Sequence, residues 1–161
     1  MFCTNLNEGF FFFWLYLLFG RQNISGPCPG KLIMDNQENE VQKNIAVANT
    51  LRQKGYFELA IASLSAALDI LVGEARAYAQ TSEPCPVGRD GVISAAYLVR
   101  FNEYLKRDKS AYVISNSMAL MFARMGNYSS AKIFFEQAID LTPPGLVYND
   151  PHIGLESVKN K

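Results

Sequence analysis

The sequence MGNYSSAKIFFEQAIDLTPP, residues 125–144, has the pattern of a single helix with clear signals at both ends. Gly126 precedes the helix, Asn127 is placed to cap it, and Pro143 stops it. Within it, apolar residues recur every three or four positions and therefore share one face; they are Ala131, Phe135, Ala138 and Leu141. The stretch predicts an amphipathic helix that starts directly after a glycine turn.

A similar pattern begins 71 residues earlier, at Gly55. Residues 60, 64, 67 and 70 are Ala, Leu, Ala and Ile, at the offsets that the apolar residues after Gly126 follow. Helical periodicity also precedes each glycine, over residues 39–54 and 110–125. Glycine readily takes the positive φ that ends a helix, and small alanines let a second helix approach the first closely. The two patterns therefore predict two helix hairpins.

The remainder of the central chain is also helical in pattern. The helix after Gly55 can continue through GEARAYAQ, residues 73–80, before the Pro- and Gly-rich loop 81–91. Another helix is predicted over 92–107, with these residues on its inner side: Ile93, Ala96, Tyr97, Phe101, Tyr104 and Leu105. No stretch alternates long enough to indicate a strand. We therefore expect an all-α protein.

The two hairpins resemble the tetratricopeptide repeat, a helix–turn–helix unit of about 34 residues. The resemblance covers 112–145 and 41–74, although Val72 replaces the terminal proline in the first unit. The positions that carry it are Gly55, Ala60, Ala67, Gly126, Tyr128, Ala131, Phe135, Ala138 and Pro143. The segment 75–111 departs from the pattern, because Arg100 stands where a bulky apolar residue is expected. The resemblance implies antiparallel helix hairpins stacked as a short solenoid over 34–145; the alternative is an ordinary helical bundle.

This resemblance also implies a function. In the family, the first helices of successive units line a concave groove that receives a segment of a protein partner. By register, the groove residues here are Gln42, Ile45, Asn49, Arg52, Val113, Asn116, Leu120 and Arg124. Lys132 and Gln137 lie on the outer helix of the second hairpin, and their replacement is expected to affect binding little. Family members that bind the C-terminal carboxylate of heat-shock chaperones carry a basic residue where this chain has Ile45. We therefore do not expect a co-chaperone of that kind. We expect an adaptor or assembly chaperone; the alternative is a structural subunit packed into a larger complex.

Other classes of function have little support in the composition. Fifteen basic and fifteen acidic side chains cancel, whereas nucleic-acid binders usually carry a basic excess. His152 is the one histidine, and only Asp150 stands near it as a carboxylate. Because a catalytic nucleophile needs an oriented base and a metal needs several spaced ligands, we expect no enzyme, no metal, no cofactor and no small-molecule substrate.

The first 33 residues differ from the rest of the chain. Residues 10–19 form an unbroken apolar run, half the length of about 20 that crosses a bilayer. Three interpretations stay open: an upstream extension ahead of a start at Met34, a membrane anchor, or an atypical signal peptide. The three scattered cysteines indicate no disulfide framework. We expect a cytoplasmic protein, with attachment to a membrane through residues 10–19 as the alternative, and a C-terminal tail over 146–161.

Overall fold

The computed structural model describes residues 35–82, 93–107 and 109–161, with side chains at 40–82, 93–107 and 110–161. These residues form the helices α1 (Asp35–Gln53), α2 (Phe57–Gln80), α3 (Ala95–Arg107), α4 (Lys109–Arg124), α5 (Tyr128–Leu141) and α6 (Asp150–Val158). No element of this described part is a β-strand, so the expected all-α fold is confirmed. The apolar run 10–19, the three cysteines and Gly91 lie outside the described residues.

The first hairpin consists of α1 and α2, which pack on each other along their lengths. Gly55, in the turn, has a φ of +82°. Two backbone hydrogen bonds close this turn, from Tyr56 N to Leu51 O at 3.0 Å and from Gly55 N to Arg52 O at 3.1 Å. They satisfy two of the carbonyls that the end of a helix leaves unpaired.

The second hairpin, α4 and α5, has a turn of the same construction. Gly126 has a φ of +78°, and Asn127 N donates to Phe122 O at 2.9 Å. Asn127 Oδ1 accepts a hydrogen bond from Ser130 N at 3.1 Å, so the predicted cap of this helix is confirmed. The helix ends at Leu141, before Pro143, as the sequence indicates.

Small residues and aromatic rings form the core of the hairpins. Four alanines of the second helices have no exposed surface: Ala60, Ala67, Ala131 and Ala138. Side chains this small allow neighbouring helix axes to approach closely. Phe122 of α4 stacks on Phe134 of α5, with ring centroids 5.4 Å apart. The hairpin is therefore held by close helix contact near the alanines and by ring stacking beside them.

Between the two hairpins, α3 packs mainly on α2, with smaller contacts to α4 and α5. The Tyr104 hydroxyl donates a hydrogen bond to Glu74 Oε2 at 3.0 Å. The ring of Tyr104 also lies 5.4 Å from that of Tyr78. These contacts attach α3 to the C-terminal half of the long helix α2, which continues to Gln80 as the sequence predicts.

The sequence prediction for α3 was wrong at its N-terminal end. The helix begins at Ala95 rather than at 92, and both Ile93 and Ala96 are exposed. Ile93 precedes the first helical turn, so helical spacing does not place it on the inner face. Ala96 lies one residue, about 100° of rotation, from the buried Tyr97 and falls on the outer edge.

The C-terminal region contains α6, a helix that the sequence analysis did not predict. It packs on α5 and, to a lesser extent, on α4. Pro151, Gly154 and Val158 are spaced three and four residues apart and form its buried side. Asp150 and Pro151 suit the first turn of a helix, because an acidic side chain favours the N-terminus and proline needs no hydrogen bond there. The region is therefore partly structured and covers the second hairpin.

Candidate protein-binding face

The first helices of the two hairpins, α1 and α4, meet at one polar contact, while the body of α4 packs on α2. Near their N-terminal halves, Gln42 Nε2 donates to Ser110 Oγ at 3.4 Å. At the other end, the Arg124 guanidinium carbon lies 6.0 Å from the centroid of Phe57, the residue that begins α2. The first contact joins α1 to α4, and the second places the end of α4 beside the start of α2, just after the turn that follows α1. The eight residues chosen by register are divided between α1 and α4.

We call these eight residues the groove face: Gln42, Ile45, Asn49 and Arg52 of α1, and Val113, Asn116, Leu120 and Arg124 of α4. Most of them contact solvent. Gln42, Asn49 and Arg124 are exposed, and Ile45 and Arg52 are half-buried. Val113 and Leu120 are each 39% exposed, which is high for apolar side chains on a packed helix. The groove face therefore offers apolar, amide and cationic groups together.

Asn116 is the exception on this face, because it is only 5% exposed. Its Nδ2 donates a hydrogen bond to the Tyr148 hydroxyl at 2.8 Å. Its Oδ1 is buried and has no hydrogen-bond partner among the described residues. This geometry corrects the expectation that Asn116 faces an open groove. The chain after α5 returns across α4 and covers it.

Tyr148 also contacts α4 through its ring. The ring lies edge-on to that of Tyr112, with centroids 5.0 Å apart and an interplanar angle of 66°. Burial raises the pKa of the Tyr148 phenol, and the Asp150 carboxylate and Tyr112 add to the rise, while the hydrogen bond from Asn116 opposes it. Tyr148 is therefore a neutral phenol at physiological pH, seated between Tyr112 and Asn116.

The charge on the groove face has one sign. It contains Arg52 and Arg124 and no acidic residue. Arg52 and Arg124 each lie in the last turn of their helix, and Arg124 contacts Phe57, which follows Arg52 across the first turn. Arg124 is held over the ring of Phe57, a cation–π arrangement that restricts its position. A carboxylate that approaches this end meets positive charge without local opposition from the face itself.

Comparison with known families identifies the second hairpin. The family model described as tetratricopeptide repeat matches residues 114–144. Residues 114–144 are a tetratricopeptide repeat. No curated protein and no solved structure matches the chain.

The matched tetratricopeptide repeat consists of most of α4 and all of α5. Repeats of this type mediate contacts between proteins, and arrays of them present extended concave surfaces. The hairpin of α1 and α2 lies outside the matched residues, yet its turn has the same positive-φ glycine and the same pair of backbone hydrogen bonds. The groove face thus combines one matched repeat with a hairpin of the same construction.

A second exposed surface lies beside α3, away from the groove face. It is an open depression of about 550 Å³. Val99, on its wall, is 57% exposed. The Arg107 guanidinium carbon lies 5.8 Å from the centroid of the Tyr78 ring, and its Nη1 donates to the Tyr78 hydroxyl at 3.4 Å. Like the groove face, this depression combines apolar and cationic groups. It is therefore an alternative surface for a protein partner.

Catalytic and metal sites require clustered ionisable side chains. His152 is an exposed side chain of α6. Across residues 35–82, 93–107 and 109–161, no group of three His, Cys, Asp or Glu side chains is placed to hold a metal ion. None of the helices in this part combines the length and apolar character that a bilayer span requires.

Sequence reasoning missed Tyr112 and Tyr148 as residues of the site. Tyr112 is the first residue of the predicted unit and is 8% exposed, so it resembles an ordinary core position. Tyr148 lies in the segment that the sequence analysis assigned to the tail. The available signal was the motif PPGLVYNDP, residues 143–151, where turn residues surround one aromatic side chain.

Proposed function

We propose that the chain is a protein-binding module, an adaptor or assembly chaperone, that holds a partner segment on the groove face. The observation that carries the proposal is the exposure of the apolar Val113 and Leu120 on α4, with the exposed Arg124 one turn beyond Leu120. Apolar groups supply binding energy when a partner covers them. The amides of Gln42 and Asn49 can pair with the polar backbone of an extended segment, which is costly to bury unpaired.

The arginine end of the groove face gives the partner a direction. Electrostatic complementarity mainly sets specificity and the rate of association. A segment with an acidic residue near Arg52 and Arg124, followed by apolar residues toward Val113, fits the order of groups along the two helices. We expect such a segment to bind in one orientation only.

A second candidate function is that of a subunit packed into a larger complex through α3. The exposed Val99 and the depression beside it favour this alternative. The location is also a proposal: a cytoplasmic protein, with attachment to a membrane through residues 10–19 as the alternative.

The test is affinity capture with the full chain as bait in extracts of its native cells, followed by quantitative mass spectrometry. Three baits are compared: the wild type, Leu120→Glu on the groove face, and Val99→Glu beside α3. Both substitutions place a carboxylate on an exposed apolar position, so each is the matched control of the other. Circular dichroism must show equal helicity for all three baits.

The proposal expects proteins that the wild type and Val99→Glu capture equally and that Leu120→Glu loses. Burying an unpaired charge costs several kcal/mol, and about 1.4 kcal/mol changes an affinity tenfold, so the loss should exceed tenfold. Selective loss on Val99→Glu would favour the packed subunit instead. If no protein depends on either position, the binding function itself is wrong.

A further inference from the structure

The segment 142–149, between α5 and α6, contacts the groove face through the side chain of Tyr148. Leu141 before it and Pro151 after it are buried. Within it, Leu146 is 45% exposed and Val147 is 82% exposed. Tyr148 makes the contacts with α4, through its hydrogen bond to Asn116 and its edge-on contact with Tyr112. The ends of the segment are therefore fixed, and Tyr148 connects its C-terminal part to α4.

The position that Tyr148 occupies belongs to the groove face by register. Asn116 lies between Val113 and Leu120 on α4, one turn from each, and both of those residues are exposed. Asn116 alone is covered. The chain thus places its own aromatic side chain where a bound segment would lie.

The closed arrangement leaves one polar group without a partner. Asn116 Oδ1 is buried and accepts no hydrogen bond from the described residues, although Nδ2 is paired. Buried acceptors are usually paired, and an unpaired one is unfavourable. A hydroxyl group delivered to Nδ2 together with an N–H delivered to Oδ1 would satisfy the whole amide. An extended segment that contains a tyrosine can supply the hydroxyl from that residue and the N–H from the backbone of another.

We propose that Tyr148 is an internal occupant of a site for an aromatic residue, and that an extended partner segment bearing a tyrosine binds there by displacing it. This inference rests on the proposed function and adds the chemistry of the partner. The partner's ring takes the place of Tyr148 against Tyr112, its hydroxyl accepts from Asn116 Nδ2, and a backbone N–H of another residue in the segment donates to Asn116 Oδ1. Tyr148 then controls access to the second hairpin.

The expected size of the effect follows from the two contacts that must be broken. A neutral hydrogen bond and an aromatic pair each change an equilibrium constant by roughly three- to tenfold. Together they favour the closed arrangement by about 10- to 100-fold, so the open form is a minor state. Because apparent affinity falls with the fraction of open protein, removal of the Tyr148 ring should raise affinity for the partner by about 10- to 100-fold.

The test uses N-acetyl-tyrosinamide as a probe of the vacated site, with no need for the natural partner. The probe is titrated into the full chain, as wild type and as Tyr148→Ala, and binding is followed by the NMR signals of the Asn116 side-chain amide. We expect saturable shifts of these signals in Tyr148→Ala, with an affinity at least tenfold above that of the wild type. N-acetyl-alaninamide, which lacks the ring, should cause none.

Two further variants make the result decisive. In the double variant Tyr148→Ala, Asn116→Leu, binding is followed by the NMR signals of Tyr112 instead. The probe should cause no saturable shifts of those signals. If Tyr148→Ala does not fold, Tyr148→Phe serves instead, since it keeps the ring but loses the hydrogen bond. It should bind the probe roughly three- to tenfold more tightly than the wild type. Equal affinity for wild type and variant, or shifts confined to another surface, would overturn the inference.

The proposed function can fail separately from this inference. If affinity capture finds no partner while the probe binds as expected, the site exists and the binding function is wrong. If capture identifies a partner that Tyr148→Ala binds no more tightly than the wild type, the function stands and the displacement model is wrong.

Discussion

The ring of Phe135 lies directly against Gly154, so that no side chain fits at position 154. A Cβ placed there would overlap Cε1 and Cζ of the ring and would lie 2.9 Å from Cδ1. Phe135 is 1% exposed and cannot move aside without disturbing the packing around it. The C-terminal helix α6 is therefore seated on α5 by a glycine that fits against an aromatic ring.

Replacement of Gly154 by alanine should destabilise the protein. Overpacking of this kind costs roughly 1–3 kcal/mol, although alanine by itself favours a helix over glycine. Chemical denaturation of the purified chain measures the difference. The control is Gly73→Ala in α2, where an added Cβ meets no atom within 4 Å. Gly73→Ala should stabilise the protein by about 0.5–1 kcal/mol. A gain in stability for both variants would show that α6 does not pack on Phe135.

The same contact explains why the sequence did not predict α6. The helix has nine residues, which is short for recognition by periodicity, and it contains both Pro151 and Gly154. Each of those residues indicates a break when only local preferences are considered. Their actual roles are a first-turn proline and a close approach to Phe135, and the second depends on a residue 19 positions earlier in the chain.

Ala131 provides a test of the repeat register. It has no exposed surface, so Ala131→Leu should overpack the second hairpin and lower its stability by roughly 1–3 kcal/mol. Ala62→Leu in α2 is the control, because Ala62 is exposed. Thermal unfolding followed by circular dichroism compares the two. A similar melting temperature for Ala131→Leu and the wild type would mean that this position is not at a close helix contact.

Replacement of Gln137 by an apolar residue should increase the stability of the protein. The sequence analysis paired it with Lys132 as an outer-helix position that tolerates replacement, but Gln137 is buried, at 8% exposed. Its Oε1 is buried without a hydrogen-bond partner among the described residues. Gln137→Met keeps the length of the side chain and removes the unpaired amide, so it should raise stability by about 1 kcal/mol. Gln137→Glu should lower the stability, because it buries a carboxylate. If Gln137→Met were less stable than Gln137→Glu, the amide would have a hydrogen-bond partner in the folded protein.

Asp140 predicts a dependence of stability on pH. Burial raises its pKa, and the nearby Lys106 opposes the rise. Because the pKa is higher in the folded state, folding favours the protonated form, and stability falls as pH rises from below about 3.9 through the raised pKa. Asp140→Asn should therefore melt at a higher temperature than the wild type at pH 7, with the gap closing below pH 4. An equal gap at both pH values would exclude this cause.

The hairpins could be predicted from the sequence because local rules determine them. Apolar residues at helical spacing, Gly55 and Gly126 at the turns, and the Asn127 cap each act within a few residues. The groove face was only partly predictable for the opposite reason. Register placed Asn116 beside Val113 and Leu120, but its burial depends on Tyr148, 32 residues later. No short-range sequence pattern predicts that the segment 142–149 packs against α4.

Hydrogen exchange of the full chain, with and without a partner isolated by capture, tests the central claim most directly. The amides of residues 41–52 and 112–124 should exchange more slowly in the complex, because the partner covers the groove face of α1 and α4. Residues 146–149 should exchange faster as Tyr148 is displaced. Slower exchange confined to residues 95–107 of α3, with α1 and α4 unchanged, would contradict the account and place the interface on α3.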